Sequence, residues 1–251
     1  MIRITGVRKS FGGKPVLRGV DLEIRDGETL TIIGGSGQGK SVLLKSMIGL
    51  IRPDGGTILV DGADILHLPR RELHRIQRQF GYLFQGGALF DSMNVAENVA
   101  FGLRHSGLSR DEIQARVRTY LEYVGLSGVE HLMPDELSGG MRKRVALART
   151  IAYSPRYILY DEPTTGLDPQ TSDVIAELIV SLQKRLGVTS VVVTHDIKAA
   201  VTVSQRVAML HNGVIAAVEP AEALIQSRNP VVRQFIDSSE FCWRMNGAVR
   251  T

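Results

Sequence analysis

The chain has 251 residues, of which 43% are hydrophobic and 22% charged, with a formal net charge of +4. That balance belongs to a globular protein with a sizeable buried core and excludes the low-hydropathy composition of a disordered chain. Cys242 is the only cysteine, so no internal disulfide is possible, and no apolar run approaches the ~20 residues needed to cross a bilayer.

The opening, Met1-Ile2-Arg3-Ile4-Thr5-Gly6, alternates like a strand and lacks a signal peptide's apolar core, which fits a chain made and kept in the cytosol. Alternation predicts short strands at 2–7, 20–24 and 58–60, an antiparallel N-terminal portion. A strand over 28–34 runs into Gly34-Gly35-Ser36-Gly37-Gln38-Gly39-Lys40-Ser41, which fits the nucleotide-binding pattern G-x-x-x-x-G-K-[ST], and Ser41 opens a helix predicted over 41–48. In that pattern glycines let successive backbone N–H groups face the phosphates, Lys40 reaches the β- and γ-phosphates, and the Ser41 hydroxyl is placed to ligate Mg²⁺. The loop therefore points to ATP or GTP.

Gln85 ends an apolar strand over 81–84; its amide could ligate Mg²⁺ or the attacking water, and it marks the border of a helical lobe. From 86 to 154 strand signals vanish, and Ser109-Arg110-Asp111-Glu112 reads as a capping box for a helix that Gly125 ends. Leu137-Ser138-Gly139-Gly140-Met141 precedes a helix predicted over 142–152 and makes a second anion-binding helix terminus. The continuous apolar runs 157–160 and 190–194 read as central parallel strands of a doubly wound sheet. The first ends in Asp161 and Glu162, a carboxylate pair that a metal ion would relieve: Asp161 holds Mg²⁺ and Glu162, on the opposite side of the strand, polarises water. The alternative is an N-cap pair before Pro163. Asp168-Pro169 starts a long helix closing near Gly187, and His195 ends the second apolar strand, where it either reaches the γ-phosphate and water or is simply packed. His211-Asn212-Gly213 is a hairpin turn; a short helix and a polar tail follow Pro220. Basic residues cluster only at 141–144 and around Arg70-Arg71, so no nucleic-acid stripe is indicated, though a surface near anionic headgroups would suit them.

In this order, 34–41, Gln85, 137–141, 157–162, Thr165-Gly166-Leu167-Asp168 and His195 resemble the ATP-binding cassette family. The resemblance implies an α/β P-loop NTPase: one domain over 1–251 with a RecA-like core (1–85 and 155–225) carrying an antiparallel β subdomain, an inserted α-helical subdomain (86–154), and a C-terminal helix and tail (226–251). It implies ATP and Mg²⁺ as cofactors, and a homodimer in which Ser138, Gly139 and Gly140 of one copy close over the nucleotide bound by Lys40 of the other, with Asp168 linking the two sites. Phe11 matches the aromatic that stacks on adenine, with Val16 beside it; the other reading of Phe11 is core. Met141 stands where glutamine is more usual, and Val42 replaces a second hydroxyl, leaving Ser41 as the one hydroxyl ligand there.

The stretch Gly86-Gly87-Ala88-Leu89-Phe90-Asp91-Ser92-Met93-Asn94-Val95, with 141–148 and 229–235, is similar to the ATPases of Mce-linked, Mla-type phospholipid transporters. That likeness implies a permease, an Mce-domain lipid-binding protein, and a peripheral place on the cytoplasmic face of the inner membrane. Ala88, Leu89 and Phe90 make either an apolar knob for a partner helix or a plain hydrophobic turn. The tail, with Phe241 and Trp243, could dock on the partner or on a small regulatory subunit. An importer ATPase for amino acids or other small solutes shares every catalytic motif. A DNA-repair or ribosome-associated ATPase would need a coiled-coil insertion or tandem cassettes, and a non-hydrolysing module is disfavoured by Glu162 and His195.

Overall fold

β1 (Ile2–Phe11) and β2 (Lys14–Ile24) pair antiparallel and run well past the segments that alternation marks. Ladder hydrogen bonds need only backbone, so pairing continues through polar residues to a turn at Gly12 and Gly13. In the computed structural model, which describes residues 1–104 and 106–239, the next elements are β3 (Thr29–Ile33), buried throughout, and α1 (Lys40–Ser46). β4 (Gly55–Val60) joins β1 antiparallel and β5 (Ala63–Asp64) joins β4, which completes a sheet of order β2-β1-β4-β5. α2 (Arg70–Gln77), which was not among the expected elements, has no fully buried residue; its apolar side is the half-buried pair Leu73 and Ile76, one turn apart.

The chain divides into two compact units, Met1–Gln77 with the chain from Thr189 on, and Arg78–Val188. In the second unit β6 (Phe80–Leu83) is the first element. α3 (Val95–Ala100) follows, opened by a capping box of Asn94 and Glu97. α4 (Arg110–Tyr123) has the expected Ser109–Glu112 box, and Gly125 past its end takes φ 66°. α5 (Gly139–Ile151) starts three residues earlier than expected, because Ser138 is its N-cap and the two glycines form its first turn. β7 (Tyr157–Asp161) runs parallel to β6, with the Phe80 and Tyr157 rings stacked at 4.8 Å. α6 (Pro169–Leu186) is capped by Asp168 and closed by left-handed Gly187, as its sequence signals require.

The chain then returns to the first unit. β8 (Thr189–Thr194) and α7 (Ile197–Val203) precede the hairpin of β9 (Arg206–His211) and β10 (Val214–Pro220), which turns on Asn212 (φ 49°) and Gly213 (φ 78°). β3 lies between β8 and β9 and is parallel to both. After Pro220 a 3-10 turn (Ala221–Gln226) comes before α8 (Pro230–Asp237), so two short helical pieces stand where one was expected; Asn229 restarts the helix by accepting from the N–H groups of Val231 and Val232. Ile33, Ile197, Ala200, Val207, Met209, Leu224, Val232 and Ile236 share one buried cluster that seals this face. Each large aliphatic buried in this way contributes about 1.5–3 kcal/mol to the stability of its unit. The tail residues Phe241 and Trp243 lie outside the described residues. Among the described residues no helix is long and apolar enough to cross a membrane.

Candidate functional site

The glycine loop leaves β3 at a point the register defines. Ile33 pairs with Thr194 on one side and Met209 on the other, so Gly34 and His195 emerge side by side at the C-terminal ends of parallel strands. A Cβ on Gly34 would sit 2.4 Å from the Leu210 carbonyl oxygen, and one on Gly39, which has φ 96°, would sit 2.8 Å from Val16 Cγ1. Glycine is thus required at both ends of the loop. Between them the Gln38 side-chain oxygen accepts the N–H of Asn212 at 2.7 Å, tying the loop to the β9–β10 turn. Lys40 is buried, and its ammonium donates to the carbonyls of Gly34 (2.8 Å) and Gly35 (3.2 Å), which holds a positive charge within the loop. Ser41 and Val42 are half-buried in the first turn of α1.

Phe11 is 48% exposed with the Lys9 ammonium 5.3 Å from its ring centroid, so the core reading of Phe11 is overturned. Val16 is half-buried. His195 is exposed just past β8, with Asp196 capping α7, so it is not a packed histidine.

The acidic strand end belongs to the second unit. Asp161 is 4% exposed and accepts a hydrogen bond from the Tyr82 hydroxyl at 2.8 Å. Burial and then the Asp161 charge push the Tyr82 phenol well above its ordinary value, which keeps it a neutral donor. Glu162 does not lie on the opposite side of the strand, because β7 ends at Asp161 and Glu162 has already turned to φ 48°, the left-handed region. Thr165 donates its hydroxyl to the Glu162 carboxylate at 3.1 Å. The N-cap reading of this pair fails as well, since the next helix starts at Pro169. A backbone cost of about 1–3 kcal/mol at a buried carboxylate is the kind of strain found at functional sites.

On α5 the Ser138 hydroxyl oxygen accepts the Met141 N–H at 3.2 Å, leaving its own proton to donate elsewhere. Asp168 accepts from both the N–H (3.0 Å) and the hydroxyl (2.6 Å) of Thr171, which holds its carboxyl below the usual range. Gln85 lies two residues past the end of β6, its side chain exposed and its carbonyl accepting from the buried Lys143 ammonium. Burial pulls Lys143 down from the ordinary lysine value, while Asp161 and Glu162 push it back up. Arg149 donates to the carbonyls of Gly87 and Ala88, each at 2.8 Å. Asn98, fully buried, bonds Phe90 and Met93 and so shapes the adjoining turn. Lys143, Arg149 and Asn98 were missed by the sequence reading. Only the Asn94–Glu97 capping box beside Asn98 carried a signal.

The candidate metal ligands, Ser41, Gln85 and Asp161, offer hard oxygens only, and no cluster of three or more His, Cys, Asp or Glu that could cage a metal occurs among the described residues. Mg²⁺ is suited to such a set, since it is held through one or two protein oxygens together with phosphates rather than by a full protein cage.

The sequence profile described as ABC transporter matches residues 17–165. The chain is 45% identical over 237 residues to the "Probable ribonucleotide transport ATP-binding protein mkl" of Mycobacterium leprae, covering 94% of this chain and 68% of that protein. It is 43% identical over 238 residues to the "Intermembrane phospholipid transport system ATP-binding protein MlaF" of Escherichia coli, covering 94% of this chain and 88% of MlaF. The "Methionine import ATP-binding protein MetN" of Geobacillus kaustophilus is 40% identical over 96% of this chain and 73% of its own length. Among solved structures, the dimeric post-hydrolysis state of the ATP-binding cassette MJ0796 bound to ADP and Pi superposes with a TM-score of 0.80 at 34% identity, over 88% of this chain and 99% of that one. With the glycine loop on one unit and the carboxylate pair on the other, the chain belongs to the ABC transporter family, as an ATP-hydrolysing cassette that works with Mg²⁺.

Proposed function

We propose that this chain powers a bacterial lipid transporter: two copies, docked on permease subunits at the cytoplasmic face of the inner membrane, hydrolyse ATP to move phospholipid between inner and outer membranes with an Mce-domain partner. The observation that carries this is the 43% identity to MlaF along 94% of the chain. The 86–95 segment, with Phe90 exposed beside the Phe101 ring, supports it as an apolar surface for a partner helix.

In this reading Lys40 and the backbone of 34–41 bind the phosphates, and the exposed face of Phe11, with Val16 beside it, receives the adenine. Ser41, Gln85 and Asp161 hold Mg²⁺, whose chemistry when bound is to offset phosphate charge. Glu162 takes the proton of the attacking water as general base, and His195 orients the same water or the γ-phosphate. Ser138, Gly139 and Gly140 of the second copy complete the site, and Asp168 carries the state of one site to the other.

The 40% identity to MetN favours a second reading, an importer ATPase for amino acids or similar solutes. One purification separates the two. Tagged Glu162→Gln protein, trapped with ATP in its native cell and isolated from detergent-solubilised membranes, is analysed by mass spectrometry for proteins and lipids. A permease with an Mce-domain protein and bound phospholipid is the expected outcome. A permease with a soluble solute-binding protein would establish the importer instead.

A further inference from the structure

Lys143 is only 6% exposed, an unusual place for an ammonium, which stays charged in such a setting only with partners. Its hydrogen-bond partner is the Gln85 carbonyl, 58 residues away in sequence, and the charges that act on it are those of Asp161 and Glu162. Six residues further along the same helix, Arg149 grips the carbonyls of Gly87 and Ala88 and lies 5.5 Å from the Phe90 ring centroid. Gly87 (φ 77°) turns freely as a glycine, but Ala88 (φ 48°) is left-handed with a Cβ, a conformation that persists only where surrounding contacts over-determine it. The path of residues 85–88 is thus imposed by cations of α5.

We propose that Lys143 is a positioning residue for the metal site: from α5 its ammonium fixes the Gln85 carbonyl and thereby sets where the Gln85 amide stands relative to the carboxylates of Asp161 and Glu162. The helix that begins at Ser138 and the glutamine loop consequently act as one piece. This rests on the reading of Gln85 as a ligand of the metal.

The test uses the full chain with a non-hydrolysable ATP analogue and Mn²⁺ as the spin probe, its affinity read by electron paramagnetic resonance. Loss of an outer partner of a metal ligand weakens metal binding by roughly 10- to 100-fold. Lys143→Met is therefore expected to weaken Mn²⁺ about 10-fold and lower kcat by a similar factor, with the KM for ATP nearly unchanged, while Lys143→Arg keeps Mn²⁺ affinity near that of the parent. Gln85→Ala is expected to weaken Mn²⁺ too, and the double variant to be no weaker than Gln85→Ala alone. Tighter Mn²⁺ binding by Lys143→Met would mean that the lysine acts only as a charge opposing the metal, and a lowered melting temperature with unchanged Mn²⁺ affinity would mean packing only; either overturns the proposal. Unchanged affinity in both Lys143→Met and Gln85→Ala would instead remove Gln85 from the metal site, and the proposal with it. If Lys143→Met does not fold, Lys143→Gln, a neutral donor of shorter reach, is read in the same way.

Discussion

At the residue scale, Glu162 combines burial, left-handed backbone and a hydroxyl partner in Thr165. As general base its replacement by glutamine is expected to lower hydrolysis by roughly 10²- to 10⁴-fold while ATP binding persists, measured by phosphate release and by equilibrium binding. Turnover equal to the parent would remove Glu162 from the chemistry. Asp168 makes a different prediction. Its carboxyl is held below the usual range chiefly by the Thr171 hydroxyl, so its contribution to stability is present above the unfolded value near ~3.9 and is lost as pH falls through the lower folded value. Asp168→Asn keeps a capping oxygen and removes the charge. The stability difference between parent and variant should shrink on going from about pH 6 to about pH 2, as measured by urea unfolding. What sequence could show here was residue type and position along the elements: Lys40 opens α1, Asp161 ends β7 and Asp168 caps α6. The left-handed turn at Glu162 was hidden because glutamate has no preference for that region.

At the scale of elements, α5 shows how one cap decides a boundary. The serine and glycines at 138–140 read as a loop before a helix, since glycine is a poor helix former, yet the Ser138 hydroxyl satisfies an N–H of the first turn and draws both glycines into it. Ser138→Ala is expected to destabilise the chain by about 1 kcal/mol, the usual worth of such a cap, read as a lowered urea midpoint at unchanged slope. α4 and α6 were legible because their caps have distinctive chemistry at both ends, the Ser109–Glu112 box with Gly125 for α4 and Asp168 with Gly187 for α6. α2 was not, because its eight residues carry only Leu73 and Ile76 at helical spacing, too short a period to stand out without a cap signal. Lys143 and Arg149 were read as members of a basic run or passed over, because what they hold lies about sixty residues away in sequence and only the packed helix brings the carbonyls within reach.

At the scale of the whole molecule, the family fold was legible because its motifs sit at strand ends and helix starts, where backbone geometry restricts residue choice most tightly. The same motifs imply association. Glu162→Gln protein with ATP should elute as a dimer in size-exclusion chromatography and as a monomer without nucleotide; a monomer in both would separate this chain from the head-to-tail arrangement. The clasp of α5 on the glutamine loop also divides the chain into places where its length can and cannot change. One residue added between Gly139 and Lys143 would swing Ser138 by about 100° around the helix axis relative to Lys143. Either the cap or the grip on Gln85 would then be lost. The exposed turn at Gly12 and Gly13, by contrast, can take extra residues without disturbing either contact. Lineages of this protein are therefore expected to differ by insertions at that hairpin tip, and by substitutions alone from Ser138 to Arg149.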